Sequence, residues 1–453
     1  MVVLLFTSST LAQAHALQEF GQARGRKRAR APGGQGPRGK KKRAFCQPSF
    51  IWEDHVNDLT EGEFKAAYRM NLTSFEKLLS IVEKYIEPID EIKALNSRPN
   101  AGRVPVVIEL ACTLRYFAGG QVTDLRLIYK PISRNRVYRA INRVTRAIVK
   151  APELEMAAFW DNEDMLHEFE QEFASKSKDQ RMGQPTAWRG QVAAVDGVHL
   201  KARAPGKAVQ NQAAYFVPRK GNAPTILVLA ACRQDRRFIW FTAGATSTSH
   251  DGQVFANSQL GQTLMHEGGD NATQKLWRKY GFFISGDSAF FQNDFMLGPS
   301  ASAGTYNADY DYLQSSNRMP IECAFGMLTR VWGVLWRPIG LKFGDRAQLV
   351  HAIFRLHNFR IAQNLGDFNP VQLVKFAKGK WRCCGPEKLP GHRKTSYNRN
   401  VYDAHGNLLH KLPALPARDK EHWNRYGRRD RMVKALEEAG YRKPARKSRR
   451  KRK

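Results

Sequence analysis

The spacing of apolar residues divides the chain into a helical part and a strand-rich part. Within residues 64–86, apolar side chains recur at intervals of three and four, the period of an amphipathic helix: Phe75, Leu78, Leu79, Val82 and Ile86. Residues 106–118 continue this pattern and end at Gly119-Gly120, a strong helix stop. The chain before about residue 155 is therefore predicted to be helical.

Two further segments predict a helix-turn-helix. A short segment, TDLRLIY, and a longer one, SRNRVYRAINRVTRAIV, flank residues 130–132, and Thr123 and Ser133 are suited to cap their N-termini. The longer helix carries five arginines, Arg134, Arg136, Arg139, Arg143 and Arg146. A short helix, a tight turn and a basic second helix favour insertion into a DNA major groove. The alternative is an ordinary helical bundle with a basic exposed face.

After a polar stretch around residues 160–187, the pattern becomes that of buried strands. QVAAVDGVHL and FFISGDSAF are apolar runs interrupted by an acid and a glycine, and TILVLAACRQDRRFIWFTAG predicts a hairpin turning at residues 234–236. Helical spacing returns at Ile321, Phe325, Leu328, Val331 and Leu335, with Pro320 suited to the first helical turn. Strands followed by a helix predict an α/β core of the RNase H type.

The predicted organisation has four parts. They are a disordered basic leader at residues 1–49, a helical DNA-binding region at 50–155, the α/β core at 185–362, and a C-terminal extension with a basic tail at 363–453. The density of apolar positions falls beyond about residue 366. We therefore expect a loose extension with one helix within residues 418–440.

The net charge of +32 is far beyond what solubility requires and indicates a polyanionic partner, which we expect to be nucleic acid. Residues 24–43 contain ten Lys or Arg and no acid, and residues 442–453 contain nine more, which leaves +13 for the rest of the chain. Blocks of like charge stay disordered until a partner neutralises them, and they suit nuclear localisation or nonspecific DNA contact. The alternative is solvated tails without a specific role.

Targeting signals and cysteines favour a reducing compartment. The opening MVVLLFTSSTLAQAHA superficially resembles a secretory signal but lacks a basic n-region. The six cysteines form no CxxC pairs and have no His at zinc-finger spacing, which favours neither a disulfide framework nor a structural zinc site. No stretch approaches the roughly 20 apolar residues that cross a bilayer. We expect a nuclear protein without a membrane anchor.

Four acids lie in phrases that suit a metal site. Asp196 and Asp287 are predicted at the ends of buried strands, each beside a glycine, and Glu322 lies on the following helix beside its apolar stripe. Asp251 follows His250 between the two strands. A buried carboxylate is usually paired or metal-bound, and hard oxygen ligands suit Mg²⁺ or Mn²⁺ better than zinc. Converging, these acids would hold two ions about 3.5–4 Å apart for phosphodiester chemistry.

The neighbouring phrases also carry a family resemblance. In order, they are DGVHLKARAP, YFVPRKG, TSHDGQVF, GDSAF, R-x-x-IE-x-x-FG-x-L and FRLHNF, from Asp196 to Phe359. This series resembles DDE superfamily transposases of the PIF/Harbinger type. Upstream, YRMNLTSFEKLL and LRYFAGGQVTDLRLIY resemble the helical region that precedes the catalytic core of that family.

The resemblance implies a nuclease that cleaves and joins DNA at transposon ends. Asp196, Asp287 and Glu322 would be the catalytic triad, and Asp251 an additional metal-site acid. Contacts to the DNA backbone would come from the phrase that contains Tyr215, Arg219 and Lys220. The resemblance also implies a Myb-like partner protein that recognises the ends, and we expect a homo-oligomer.

One departure from the family pattern concerns the residues after the glutamate. Cys323 takes the place of a basic residue, and the usual Lys and Arg-Phe are replaced within residues 329–332. No carboxylate is lost, so the departure bears on DNA affinity more than on metal binding. The competing hypothesis is a domesticated, catalytically inactive transposase-derived protein that binds DNA without cutting it.

Overall fold

The structure is a computed structural model. It describes residues 50–87, 104–130, 132–176, 188–206, 211–217, 223–265, 271–300, 307–365, 400–402, 408–411 and 428–441. The basic segments 24–43 and 442–453 lie outside the described residues, as do Arg219 and Lys220.

The N-terminal part of the described chain is helical, as predicted. Its helices are α1 (Trp52–Asn57), α2 (Glu61–Tyr68), α3 (Leu72–Tyr85), α4 (Val106–Phe117), α5 (Val122–Ile128) and α6 (Arg134–Lys150). The amphipathic spacing places Phe75, Leu78 and Val82 of α3 in the core, where each is fully buried. Arg69, in a left-handed backbone conformation, ends α2 and separates it from α3.

The short helix α5 and the longer helix α6 are separated by a turn at the predicted position. Ser133 caps α6, because its hydroxyl accepts a hydrogen bond from the Arg136 N–H at 3.3 Å. The prediction that Thr123 caps α5 is wrong, since α5 begins after Gln121 and already contains Thr123. Val137, Ile141 and Val144 of α6 are fully buried.

The stretch predicted as polar at residues 160–187 contains a helix, α7 (Glu163–Lys176). Its charged residues cover one side, but Leu166, Phe169 and Phe173 are buried and pack it towards the sheet. The high density of acids hid this stripe in the sequence.

A six-stranded mixed sheet forms the centre of the molecule. Its strands are β1 (Gln191–Lys201), β2 (Phe216–Val217), β3 (Ala223–Cys232), β4 (Phe238–Ala245), β5 (Phe283–Ser285) and β6 (Met296–Leu297). Strands β1, β3 and β4 pair antiparallel in the order β4-β3-β1, with the predicted turn between β3 and β4, whereas β5 and β6 continue the sheet from β1 in parallel. The two-residue strand β2 pairs with the start of β3.

Helices cover both faces of this sheet. Three helices, α8 (Asp251–Ala256), α9 (Gln259–Leu264) and α10 (Ala272–Tyr280), follow β4, and two more, α11 (Ala308–Val331) and α12 (Phe343–Ala362), follow β6. Successive strand residues point to opposite faces. Thus Val195 belongs to the apolar cluster with α7 to α10, whereas Ala194 belongs to the cluster formed by α11, α12 and the N-terminal helices. The helical part and the sheet therefore share one apolar core.

Helix α11 begins earlier than the sequence predicts. Asn307 caps it by accepting hydrogen bonds from the backbone N–H groups of Asp309 and Tyr310. Pro320 thus lies inside the helix, and the prediction that it occupies the first turn is wrong. The internal proline removes one helical hydrogen bond, but the buried residues on both sides of it keep the two halves packed against the sheet.

The C-terminal extension contains a hairpin of β7 (Asn400–Tyr402) and β8 (Leu408–Lys411) and a helix, α13 (Arg428–Glu438). The prediction of a loose extension is wrong for α13. Its buried Met432 and Leu436 share an apolar cluster with Trp188, Phe283 and Tyr310. In sequence, a surface-rich helix with two apolar contacts is hard to distinguish from a solvated one. Within the described segments, no helix is long and apolar enough to cross a bilayer.

Candidate active site

The site lies on β1 just beyond the point where its parallel pairing with β5 ends. Asp196 pairs with Ala230 of β3 in the middle of β1, which continues to Lys201, so the predicted strand end at this residue is wrong. The continuous burial of the strand ends there: residues 192–195 are fully buried, and residues 196–199 are half-buried. On the other side, the pairing of β1 with β5 stops at Ala194 and Ser285.

Asp287 follows β5 at the same level of the sheet. It lies two residues beyond Ser285, as Asp196 lies two residues beyond Ala194, and these two strand residues are register partners in parallel strands. Equal offsets along parallel strands bring the aspartates side by side. The Asp287 carboxylate accepts a hydrogen bond from the Ala289 N–H at 2.9 Å, which fixes the turn after the strand.

Helix α11 carries the third acid and is held in register by buried amides. The Gln314 side chain donates to the Gly286 carbonyl at 2.6 Å, beside Asp287. The Gln191 side chain, at the start of β1, donates to the Asn317 carbonyl at 3.1 Å. These bonds tie α11 to both strands, so the position of Glu322 relative to the two aspartates is set by the core.

Arg318 links the helix to the sheet. One of its guanidinium nitrogens lies 3.4 Å from Asp196 Oδ2, and the other lies 2.5 Å from Glu322 Oε1. The Arg318 and Asp196 side chains are 19% and 21% exposed, whereas the Glu322 side chain is 51% exposed. The cluster is therefore closed towards the sheet and open to solvent at Glu322.

The pKa of Asp196 depends on its burial and on the charged groups near it. Burial, the largest cause, raises the pKa of Asp196 to about 6. The Gly197 N–H, which donates to Asp196 Oδ1 at 2.9 Å, and the Arg318 guanidinium both lower this pKa, whereas Asp287 and Glu322 raise it. Each of the other two acids thus lies close enough to make ionisation of Asp196 harder.

Asp251 approaches β1 from the opposite face. At Gly197, an added Cβ would lie 2.5 Å from Asp251 Oδ2, so the missing side chain makes room for this carboxylate. Successive strand residues point to opposite faces, which separates Asp251 from the side on which Asp196 points. His250 caps α8 by accepting a hydrogen bond from the Gly252 N–H. The metal role of Asp251 stays a prediction.

The acids of the site suit a hard divalent ion, but the carboxylates of Asp196 and Glu322 are paired with Arg318. Asp196, Asp287 and Glu322 offer only oxygen atoms, the ligands that Mg²⁺ and Mn²⁺ prefer. Across the segments that the structure describes, no three His, Cys, Asp or Glu side chains are grouped as a metal site in their present positions. The chemistry of these residues therefore fits a divalent ion, whereas in the structure Asp196 and Glu322 pair with Arg318.

The described residues that were predicted to contact DNA differ in how exposed they are. Arg134 and Arg139 are exposed on α6, and Arg136 is half-buried there. Arg143 instead lies inside the fold, where it pairs with the buried Glu109 at 2.5 Å, and Tyr215 is only 4% exposed. Burial argues against DNA contact by Arg143 and Tyr215.

Sequence reasoning gave no role to Arg318, Gln191 or Gln314, although Arg318 is the arginine of the phrase R-x-x-IE. A signal for Arg318 was present, because it precedes Glu322 by four residues, the spacing of neighbours on one helix face. Placing the helix start at Pro320 put Arg318 outside the helix. The two glutamines carry no charge pattern, and only the packing of α11 on the sheet reveals what they bind.

Comparison with known families identifies the segment that carries this site. Residues 195–358 match the family model described as DDE superfamily endonuclease, and the match spans all four acids. It supports a place in the DDE transposase superfamily and indicates a transposase or nuclease with DNA as its substrate. The comparison with curated proteins and that with solved structures found no match.

Proposed function

We propose that this protein is a transposase of the PIF/Harbinger type that cuts DNA at transposon ends and joins the freed 3′-hydroxyl to target DNA. One observation carries the proposal: three acids from β1, the turn after β5, and α11 converge at one edge of the sheet inside the segment that matches a DDE endonuclease family. A structural role alone would not need three mutually repelling carboxylates at an opening to solvent.

In this proposal, Asp196, Asp287 and Glu322 hold two Mg²⁺ or Mn²⁺ ions. Such ions activate the attacking hydroxyl or water and stabilise the leaving oxygen. The chain itself supplies the geometry: the sheet register aligns the two aspartates, and the bond from Gln314 to the Gly286 carbonyl holds α11, which carries Glu322, against the turn after β5. The metal role of Asp251 is a separate prediction, because this residue approaches β1 from the opposite face at Gly197 and is not part of the centre proposed here.

We further propose that the core is RNase H-like. Three antiparallel strands, in the order β4-β3-β1, are followed by the parallel strands β5 and β6, and the adjacency of β1 and β5 supports this assignment. That adjacency is what brings Asp196 and Asp287 together although many residues separate them in the chain.

Helices α5 and α6 are the proposed DNA-binding element. The exposed Arg134 and Arg139 on α6, with Arg136 beside them, support contact with the phosphate backbone or a major groove. The basic segments 24–43 and 442–453 support nuclear localisation and nonspecific DNA contact. A Myb-like partner and a homo-oligomer remain proposals that rest on the family resemblance.

A cleavage assay tests the proposed substrate. Linear DNA that carries the inverted repeats flanking the gene is incubated with the protein and Mg²⁺, beside DNA with the same repeats scrambled. We expect cuts at the repeat ends and joined products with a target plasmid. Tight binding to the repeats without cuts in either DNA would instead favour the domesticated, inactive alternative.

A further inference from the structure

We propose that Arg318 is a positioning residue that acts as the built-in cation of the carboxylate cluster and must be displaced when a divalent ion binds. This inference rests on the metal-binding part of the proposed function. It assigns to Arg318 a control over metal affinity, in addition to the three acids that would hold the ions.

The contacts of Arg318 are those of a bridge. Its pair with Glu322 is local, because the two residues are one turn apart on α11. Its pair with Asp196 crosses from the helix to the middle of β1. A single guanidinium thus reaches two acids from two structural elements, and its planar, forked shape suits two simultaneous carboxylate contacts.

The position of the guanidinium is where positive charge is most needed. Asp196 and Asp287 follow register partners of parallel strands, and Glu322 shares Arg318 with Asp196, so three like charges lie in one cluster and repel one another. Arg318 opposes this repulsion from within hydrogen-bonding distance of two of the three acids. Without a metal ion, it therefore keeps the acids together on the folded framework.

The same contacts make Arg318 exchangeable. An ion and the guanidinium would compete for the same atoms, Asp196 Oδ2 and Glu322 Oε1. A divalent ion carries twice the charge and binds carboxylate oxygens at about 2.1 Å. Because Glu322 is half-exposed, the Arg318 side chain has a route to solvent. Partly exposed ion pairs contribute little free energy, so the ion has only a small energy to overcome.

Direct titration of the metal tests the inference without any cleavage. Mn²⁺ binding to the full-length protein is measured by calorimetry for wild type, Arg318→Gln and a control, Arg330→Gln, which removes an exposed arginine farther along the same helix. We expect Arg318→Gln to bind Mn²⁺ about tenfold more tightly, because two partly exposed ion pairs no longer compete. Arg330→Gln should bind as wild type does.

The outcomes separate this inference from the proposed function. If wild type binds Mn²⁺ and Arg318→Gln binds it equally or more weakly, Arg318 is not a competitor, and the inference alone is overturned. If none of the proteins binds Mn²⁺ in the millimolar range, both the metal site and the inference are overturned.

A second variant covers a failure of Arg318→Gln to fold, which circular dichroism in a chelator would reveal. Arg318→Lys keeps the charge but presents a compact ammonium that cannot form the same forked bridge. Mn²⁺ affinity between those of wild type and the glutamine variant, or simply tighter than wild type if the glutamine variant is unfolded, supports the inference. Affinity equal to or below wild type would overturn it.

Discussion

Two arginine–carboxylate clusters, one in the helical region and one at the edge of the sheet, use the same chemistry in opposite settings. Arg143 of α6 pairs with Glu109 of α4, and their side chains are only 15% and 6% exposed. Arg143 also donates to the Glu87 carbonyl at 2.6 Å, so it joins three parts of the helical region. Arg318 instead serves two acids at a partly open rim.

The difference shows how to separate structural from functional charges in this fold. In the Arg143 cluster one cation pairs with one acid, and a second guanidinium nitrogen donates to the Glu87 carbonyl. The cluster at Arg318 has three acids and one cation, which contacts two of them, Asp196 and Glu322. Burial raises the pKa of Asp196, and the two neighbouring acids raise it further. An excess of like charge next to solvent is the arrangement that a metal ion can complete.

The largest expected stability effect concerns the buried pair. Glu109→Ala should lower the free energy of unfolding by about 3–5 kcal/mol, because it leaves the Arg143 charge buried without its carboxylate. Urea unfolding measures this loss. The matched control is Glu153→Ala, which breaks the exposed pair with Lys84 and should cost only about 0–1 kcal/mol. Equal losses in the two variants would contradict the idea that burial makes the Arg143 pair structurally important.

Replacing Asp196 should change the free energy of unfolding in the opposite direction. The folded protein binds a proton at Asp196 more tightly than the unfolded chain, since the carboxyl pKa rises from 3.8 to about 6. The ionised carboxylate therefore lowers stability above pH 6 by about 2–3 kcal/mol, and this penalty disappears as the pH falls towards 4. Asp196→Asn should accordingly be more stable than wild type at pH 8 in a chelator.

Urea unfolding at pH 8 and at pH 4.5 checks this prediction. The stability difference between Asp196→Asn and wild type should shrink over that interval. A variant that is less stable than wild type at pH 8 would mean that the Arg318 pair, rather than burial, dominates at Asp196.

The smallest expected effect concerns an exposed arginine of α6. Arg139→Gln should weaken DNA binding by about 1 kcal/mol and reduce the slope of log affinity against log salt by about 1, because one phosphate contact is lost. Fluorescence anisotropy with labelled duplex at several salt concentrations measures both quantities. The control is Lys77→Gln, which removes one positive charge from an exposed position of α3. An unchanged salt slope for Arg139→Gln would remove α6 from the interface.

Much of the local structure could be predicted from apolar spacing. The helices at residues 106–117 and 134–150, the strand around Asp196 and the hairpin between β3 and β4 all follow from it. What spacing cannot supply is the pairing of β1 with β5, which depends on the packing of distant segments. For this reason the acids could be identified, but their common register could not.

The partners of charged side chains were equally hidden. Nothing in the sequence distinguishes Arg143 from Arg139, since the two residues are four positions apart and therefore lie on the same face of one helix. Only the packing of α4 beside α6 shows that Arg143 faces Glu109. Likewise, α13 is anchored by the burial of Met432 and Leu436 in a cluster formed by residues far upstream.

The central claim is that Asp196, Asp287 and Glu322 form one catalytic centre, and nicking of plasmid DNA in Mg²⁺ tests it most directly. Asp196→Asn, Asp287→Asn and Glu322→Gln should each lower the nicking rate at least about a thousandfold, because each removes stabilisation of the charged transition state. Glu83→Gln, an exposed acid on α3, should cut at the wild-type rate. Wild-type rates in Asp196→Asn and Glu322→Gln would contradict the account.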